Sequence, residues 1–328
     1  RAAIVALRAD ESRALMKQVH DAYVIASYRG ERRPLRDLFA PGEPPGGAGD
    51  CAGPKLLGEA YRRGLQPIAM AEVWWGPPPA TGGRIAGVFY PSCRGKCGPI
   101  LPHMLDGLPV APAPEYGAAP VPPHEPRIVY EDDRLVIVDK PAGLLSIPGR
   151  SSALGDSVQT RLRARWPALT VVHRLDLETS GILLAAKDDE VLAALQGQFA
   201  RREIDKRYVA WLAGDVRGEG GTIELALRVD LDDRPRHIVD PVHGKPAVTE
   251  WRVDRRHQGR TRVIFVPRTG RTHQLRVHAS HPDGLGIPIV GDRLYGTPGE
   301  RLQLHAERLD FQHPVSGRRI TVVRPAPW

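Results

Sequence analysis

The 328-residue sequence lacks several features that define other classes of protein. It holds three cysteines, a small and odd number that argues against a disulfide scaffold. No apolar run approaches the roughly 18 residues that a membrane-spanning helix needs, since runs such as residues 181–186 (GILLAA) are far shorter. The printed sequence shows no secretory leader. These absences favour a globular protein of the reducing cytoplasm, which is our expectation for its location.

The sequence also lacks the patterns of several common catalytic centres. The glycine-rich stretch at residues 218–221 has no phosphate-loop context and is typical of a turn. Ser180, His173 and Asp176 lie too close in sequence for the known hydrolase triads, and no nucleophile elbow is present. Histidines five and three residues apart form no clean helix face and have no thiolate or carboxylate cluster beside them. We therefore expect no metal site at His273, His278 and His281.

Positive charge is concentrated at one end of the chain. The sequence has 46 Lys and Arg against 38 Asp and Glu, a net charge of +8. Residues 251–328 alone carry 14 Arg against six Asp and Glu, so the whole excess lies there. Such a segment is typical of a protein that binds a polyanion, although solubility alone would also explain it.

A proline-rich stretch divides the chain. Its composition offers no core-forming pattern and predicts an extended linker at residues 109–126. We therefore predict an N-terminal accessory domain at residues 1–108 and a catalytic domain at residues 127–328. The seven prolines of this stretch are Pro109, Pro112, Pro114, Pro120, Pro122, Pro123 and Pro126.

The two predicted domains differ in their periodicity. In the first, helical spacing predicts helices at residues 12–26 and 54–63, which favours a small α/β-type domain. In the second, residues 128–138 predict a β-hairpin, and helical spacing recurs at residues 158–166 and 190–199. Many short strands with few intervening helices predict an α+β fold with a mostly antiparallel mixed sheet. Those strands are predicted at residues 208–212, 222–229, 249–253, 262–266 and 320–323.

One nine-residue string carries the clearest chemistry. Residues 173–181 read HRLDLETSG and directly precede a predicted strand at residues 182–186. Arg174 lies two residues before Asp176, so a turn here presents a cation and a carboxylate at one edge of a sheet. Such a pair could hold and attack a nucleotide, whereas the plainer interpretation is a surface turn closed by Ser180 and Gly181.

This string resembles the signature loop of RluA-type RNA pseudouridine synthases. Further segments resemble the other motifs of that family in the same order along the chain, which makes a chance match improbable. The resemblance covers residues 127–328 and leaves the first 126 residues unexplained. The matching segments are residues 140–149 (KPAGLLSIPG), 206–210 (KRYVA), 269–278 (TGRTHQLRVH), 288–292 (PIVGD) with 295–296, and 304–306.

The resemblance implies a role for each matching residue. Asp176 is the carboxylate that forms a covalent adduct with the target uridine. Tyr208 stacks on the uracil and is the candidate for proton transfer at C5, and Arg276 pairs with Asp176 inside the pocket. Arg174 takes the flipped nucleotide's place in the RNA, and Leu275 packs near the ring. The substrate-binding candidates are therefore Arg174, Leu275, His173 and Arg271.

The chemistry implied by the resemblance fits these residue types. Converting uridine to pseudouridine breaks the N1–C1′ bond and joins C5 to C1′, and a carboxylate nucleophile can hold one fragment while the other turns. A carboxylate in a site that excludes water needs a cation such as Arg276 beside it. The base must leave its stack, where an aromatic ring can hold it. We expect structured RNA (tRNA or rRNA) as the partner, and we expect a monomer. No cofactor is expected, because no redox step occurs. Whether Asp176 attacks C6 of the base or C1′ of the sugar stays open.

The N-terminal region allows other interpretations. Cys51, Cys93 and Cys97 faintly resemble a zinc-deaminase layout, but Gly53 stands where the proton-moving Glu belongs and the cysteine spacing is one residue longer. A structural zinc held by these cysteines, with His103, is one alternative, and unliganded thiols are the other. A catalytically silent RNA-binding protein is a further alternative, which the presence of Asp176, Tyr208 and Arg276 disfavours.

Overall fold

A computed structural model describes residues 2–40, 42–77, 86–90, 92, 94–110, 122–149, 154–231 and 233–328. The described residues up to 110 form one compact unit, and those from 122 to 328 form a second. Most of the predicted linker, residues 111–121, lies outside the described residues. No helix among the described residues is long and apolar enough to cross a membrane.

The N-terminal unit combines one long helix with shorter helices and strands around a small apolar core. Buried Ile25, Leu35, Leu57, Ile100 and Met104 form this core. The helix predicted at residues 12–26 begins earlier and ends at residue 22, because the β-branched pair that follows joins a strand instead. The elements are α1 (Ala2–Ala22), β1 (Val24–Ala26), β2 (Arg32–Pro34), a 3-10 turn (Asp37–Phe39), α2 (Ala52–Arg62), β3 (Glu72–Val73), β4 (Phe89–Tyr90), α3 (Arg94–Cys97) and α4 (Ile100–Met104).

The C-terminal unit is a mixed, mostly antiparallel eleven-stranded sheet with three helices. This confirms the predicted α+β fold. Its elements are β5 (Arg127–Glu131), β6 (Leu135–Lys140), α5 (Val158–Arg163), β7 (Thr170–Val171), β8 (Ser180–Ala186), α6 (Asp189–Ala200), β9 (Asp205–Leu212), β10 (Gly220–Val229), β11 (His237–Val239), β12 (Lys245–His257), β13 (Arg260–Pro267), α7 (Gln274–Ser280), β14 (Leu304–Gln312) and β15 (Arg319–Val323).

The strand order places β8 and β14 side by side in the interior of the sheet. The order is β11-β10-β12-β13-β9-β14-β8-β6-β5, with β15 paired to β14 and β7 paired to β8. Every described pairing is antiparallel except that of β8 with β14. Because β8 is central and covered on both faces, all seven of its residues are buried, which explains its continuous apolar run.

Two cores cover opposite faces of the β6–β8 half of the sheet. Alternate residues of these strands point to opposite faces, so Ile182 and Leu184 pack under α6 while Leu183 and Ala185 pack under α5. A third core packs α7 against β9 and β13. Tyr208 contacts both the α5 core and the α7 core, so this one side chain marks where the two halves of the unit meet.

Candidate active site

The loop of residues 173–179, between β7 and β8, is fixed on both sides of Asp176. On one side, the Leu175 carbonyl accepts a hydrogen bond from Ser146 Oγ at 2.8 Å, and the Leu175 N–H donates to the same oxygen at 3.0 Å. On the other side, the Gly143 N–H donates to the Leu177 carbonyl at 2.9 Å. The segment at residues 140–149 therefore holds the backbone that presents the Asp176 side chain.

Lys140 adds a buried clamp to this loop. Its side chain is fully buried, and its ammonium group donates to three carbonyl oxygens, of Pro141 (2.9 Å), Leu144 (2.6 Å) and Leu177 (3.1 Å). Burial lowers the pKa of Lys140 to about 7, although the charge of Asp176 opposes this shift. One side chain thus ties the end of β6 to the residue that follows Asp176.

The end of the loop requires a glycine. Gly181 has a φ of 115°, a conformation that other residues rarely adopt. A Cβ at this position would lie 2.3 Å from the carbonyl oxygen of Ala306, because β8 and β14 approach closely where they run parallel. Beside it, Ser180 Oγ and His305 Nδ1 are 2.9 Å apart. The strand that carries the loop is therefore joined directly to β14.

A cavity of about 660 Å³ opens in front of the loop. Its lining brings together Asp176, on the loop, Tyr208, from β9, and the segment that precedes α7. The structure therefore gathers six of the seven residues that the sequence pointed to. Those six are Asp176, Tyr208, Arg174, His173, Arg271 and Leu275.

Asp176 and Tyr208 are the groups in this cavity suited to chemistry on a base. The Asp176 side chain makes no hydrogen bond or ion pair to any residue that the structure describes, so its carboxylate is open to a ligand. Burial and the charge of Asp176 raise the pKa of Tyr208. The Tyr208 hydroxyl therefore keeps its proton, and its ring offers an apolar face to a base.

Arg276 lies behind the cavity and not in its lining. Its guanidinium binds Asp292 through two hydrogen bonds, of 2.8 and 2.6 Å, and Glu178 through one of 3.0 Å. Burial alone would lower the pKa of Arg276, but the hydrogen bonds and charge of Asp292, together with the charges of Asp176 and Glu178, raise it above its usual value. A pairing with Asp176 stays a prediction, since these two residues show no direct contact among the described part of the chain.

The other expected substrate-binding residues differ in their exposure and in the contacts that hold their side chains. His173 Nε2 accepts a hydrogen bond from the Leu184 N–H at 3.2 Å, and its ring lies 5.0 Å from that of Phe199. It therefore also supports the loop. Leu275 is buried in the α7 core. Arg174 is exposed and forms no described ion pair, so its cation is available at the mouth of the cavity.

Several functional residues escaped the sequence analysis. Asp292 is fully buried and holds Arg276, while Glu178 receives Arg293 at 2.6 Å as well as Arg276. Burial raises the pKa of Glu178 despite both arginines. Asp292 lies in one of the matching segments, which was the available signal. Three further cations line the cavity, namely Lys206, Arg202 and Arg268.

The metal interpretations gain no support from the described residues. No group of three or more His, Cys, Asp or Glu in that part of the chain is placed to hold a metal ion. Cys97 is buried and Cys51 partly buried, and neither forms a disulfide with a described residue, whereas Cys93 lies outside the described residues. The three-cysteine zinc site therefore stays an untested alternative.

The buried histidines predict a specific acid sensitivity. Burial lowers the pKa of His173 to about 3, and those of His273 and His278 to about 4. The unfolded chain binds these protons below about pH 6.5 while the folded chain does not, so folding stability falls as pH falls. We expect the free energy of unfolding, measured in urea, to drop between pH 7 and 5, by up to about 1.4 kcal/mol per pH unit for each histidine.

His278 offers a direct check, because both of its ring nitrogens are buried without a hydrogen-bond partner. A His278→Leu variant should show a shallower loss of stability over the same pH range. Equal free energies of unfolding at pH 7 and pH 5 in the unmodified protein would contradict this account of the histidines.

Comparison with known proteins points to one family. The family model described as RNA pseudouridylate synthase matches residues 134–281. Proteins named dual-specificity RNA pseudouridine synthase RluA, from Salmonella typhimurium and Escherichia coli, are 43% identical over 215 residues. This match covers 63% of the chain and 97% of each relative. The protein of the same name from Vibrio parahaemolyticus is 44% identical over 207 residues, covering 60% of the chain and 82% of the relative.

A solved structure agrees with the sequence matches. Human RNA pseudouridylate synthase domain containing 1 superposes with a TM-score of 0.52 at 30% sequence identity, covering 62% of this chain and 84% of that one. The likeness supports the fold of the C-terminal unit, and the whole length of the RluA relatives is nearly matched.

Proposed function

The chain belongs to the RluA family of RNA pseudouridine synthases, and from this we propose that Asp176 is the nucleophile with which it isomerises uridine. The protein is an intramolecular isomerase that acts on RNA. The observation that carries the residue assignment is the open carboxylate of Asp176 in a cavity beside Tyr208, on a loop fixed at both neighbouring residues.

The proposed reaction uses the carboxylate to hold one fragment. In one route an Asp176 oxygen adds to C6 of the uracil; in the other it displaces the base from C1′. Either way the N1–C1′ bond breaks, the base turns, and the C5–C1′ bond forms. The bond to Asp176 then breaks, which restores the carboxylate, and a proton leaves C5 while N1 takes one up. Tyr208 is our candidate for stacking on the ring and for taking the proton from C5, which it can accept only as it gives up its own hydrogen. Atoms and electrons balance without a redox partner, so we propose that no cofactor takes part.

The proposed substrate is a uridine flipped out of structured RNA. A carboxylate inside a cavity cannot reach a stacked base, so the nucleotide must swing into the cavity, and Arg174 at its mouth can fill the gap left behind. Arg174, Arg202 and Lys206 line the cavity and form no ion pair among the described residues, so their charges suit RNA phosphates. We propose tRNA and rRNA as targets, in keeping with the relatives' name of dual-specificity synthases. We further propose that the protein acts as a monomer in the cytoplasm.

RNA affinity should depend steeply on salt. If the basic C-terminal segment contacts phosphates, binding releases counterions, and the logarithm of the association constant falls linearly with the logarithm of salt concentration. Filter binding with a tRNA transcript from 50 to 200 mM KCl measures the slope; we expect a loss of at least about tenfold for a few phosphate contacts. An unchanged affinity across this range would remove RNA binding as the explanation of the basic segment.

The N-terminal unit is proposed to be an accessory domain. All the chemical motifs lie after residue 126, and the cavity is lined entirely by residues of the C-terminal unit. A chain beginning at Pro126 should fold and convert uridine in at least some RNAs, with weaker selectivity for the natural site. Tritium release and circular dichroism check both points. An insoluble or inactive truncated protein would show that residues 1–125 support the catalytic unit.

Mapping pseudouridine in cells with and without the gene identifies the RNA that the protein modifies. We expect at least one site in tRNA or rRNA to lose its pseudouridine when the gene is deleted. The intact gene should restore the modification, and a copy carrying Asp176→Asn should not. Identical pseudouridine maps with and without the gene would contradict the proposed function.

A further inference from the structure

His273 sits in a backbone conformation that is costly for its residue type. It precedes α7 with a φ of 55°, and only two other non-glycine residues in the described part of the chain have a positive φ. Such a conformation persists where the surroundings impose it, and it recurs at functional sites. The next side chain imposes it here, because the Gln274 amide bonds to Thr269, to the Arg271 N–H, and to both Val248 and Thr249.

A chain of hydrogen bonds fixes where the ring of His273 carries its proton. The backbone N–H of His237 can only donate, and it donates to the Tyr295 hydroxyl at 2.7 Å. That hydroxyl keeps its own hydrogen, since burial raises the pKa of Tyr295. Among the described residues only His273 Nδ1, at 2.8 Å, offers this hydrogen an acceptor, so we assign the hydroxyl as the donor. Nδ1 is thus an acceptor. Burial also lowers the pKa of His273 to about 4, so the neutral ring carries its hydrogen on Nε2.

The Nε2 hydrogen faces the substrate cavity. The ring is 8% exposed and belongs to the lining that also contains Asp176. No described residue accepts a hydrogen bond from Nε2, and this nitrogen is not among the buried polar atoms without partners. The charge of Asp176 opposes the effect of burial on the pKa of His273. A neutral N–H donor therefore lines the same cavity as the proposed nucleophile.

Both routes of the proposed reaction create a need for such a donor. If Asp176 adds to C6, the C5–C6 electron pair moves through C4 onto O4 and forms an enolate. If the base leaves C1′, the N1–C1′ electron pair goes with it and spreads over O2 and O4. A fixed donor aimed at the developing negative charge stabilises the transition state more than the substrate.

We propose that His273, through its Nε2 hydrogen, is a further catalytic residue that donates to a carbonyl oxygen of the flipped uracil as that oxygen becomes negative. The inference rests on the proposed function of Asp176. In this proposal the neutral imidazole of His273 stabilises the negative oxygen by donating a hydrogen bond. Tyr295 and the backbone N–H of His237 determine that its hydrogen lies on Nε2.

Two substitutions test the roles of the Nδ1 and Nε2 positions of His273 separately. In His273→Asn the amide reaches the Nδ1 position, which keeps the Tyr295 contact and tolerates a positive φ, but leaves no donor in the cavity. In His273→Gln the amide nitrogen reaches the Nε2 position and restores that donor. We expect the single-turnover rate at saturating RNA to fall about 10²–10³-fold in His273→Asn and to recover by about tenfold or more in His273→Gln, with RNA affinity unchanged in both.

The matched control is His281→Asn, the same chemical change just after α7 and outside the cavity lining, which should keep the wild-type rate. Wild-type turnover in His273→Asn would overturn the proposal. So would a loss of RNA affinity at unchanged rate, which would indicate a phosphate contact. If neither variant folds, histidine ¹⁵N resonances of the full-length protein decide: the proposal requires hydrogen on Nε2, and a resonance pattern with hydrogen on Nδ1 overturns it. Running Asp176→Asn in the same assay keeps failure of this inference distinct from failure of the proposed nucleophile.

Discussion

Replacing Asp176 with Asn should abolish isomerisation while leaving the fold intact. The amide is nearly isosteric with the carboxylate but cannot act as a nucleophile, and no described residue depends on the Asp176 side chain for a hydrogen bond or ion pair. We expect the rate to fall by about 10⁴-fold or more, as removal of a covalent nucleophile does elsewhere. Tritium release from RNA labelled at C5 of uridine measures the rate, and filter binding confirms that the variant still holds RNA.

A second aspartate in the cavity lining, Asp205, provides the control for this experiment. Asp205 lines the same cavity but is exposed and pairs with Arg319 on the surface. The same chemical change, Asp205→Asn, should therefore keep turnover close to that of the unmodified protein. Substantial turnover in Asp176→Asn, or an equal loss in both variants, would remove Asp176 as the nucleophile.

Replacing Arg276 with Met should cause the largest loss of stability. The side chain is 2% exposed and satisfies two carboxylates, of Asp292 and Glu178. Its loss leaves Asp292 as an uncompensated buried charge, so we expect the free energy of unfolding to fall by about 3–5 kcal/mol. Because Glu178 lies two residues from Asp176, the catalytic loop should also loosen, and turnover should fall with stability.

Urea unfolding measures this effect, and a surface arginine provides the comparison. Arg201 pairs with Glu203 where both side chains are largely exposed, so Arg201→Met should change stability little. Adding Asp292→Leu to Arg276→Met should recover part of the loss, since an apolar pair no longer buries a lone charge. A loss in Arg276→Met no larger than in the surface variant would show that the buried ion pair contributes little.

The sequence could predict the residues of the site more readily than their partners. Asp176 and Arg174 lie in one short string, so local pattern was enough to single them out, whereas Tyr208 was identified by the resemblance of residues 206–210 to a family motif. The partners of Arg276 lie 16 and 98 residues away, and only the sheet topology brings them together. The pairing predicted for Arg276, with Asp176, followed from resemblance and not from any local constraint.

Two elements of the C-terminal unit, α7 and β14, have no periodic pattern of apolar and polar residues in the sequence. Six of the seven residues of α7 are buried, including Arg276 and His278, so this helix has no polar face. Strand β14 carries Glu307 and Asp310 at positions that look solvent-exposed in sequence, yet both are buried in ion pairs with arginines of neighbouring strands. Charged residues in a core hide the periodicity of its apolar residues.

The most direct test of the central claim is product formation by the purified protein. Transcribed tRNA and rRNA fragments, free of modified nucleotides, are incubated with the full-length protein in buffer containing EDTA and no cofactor, then digested to nucleosides and analysed by liquid chromatography. We predict that pseudouridine appears at one defined position of at least one RNA, with an equal loss of uridine, and that Asp176→Asn forms none. Absence of pseudouridine from every RNA offered, with the protein folded and bound to RNA, would contradict the account.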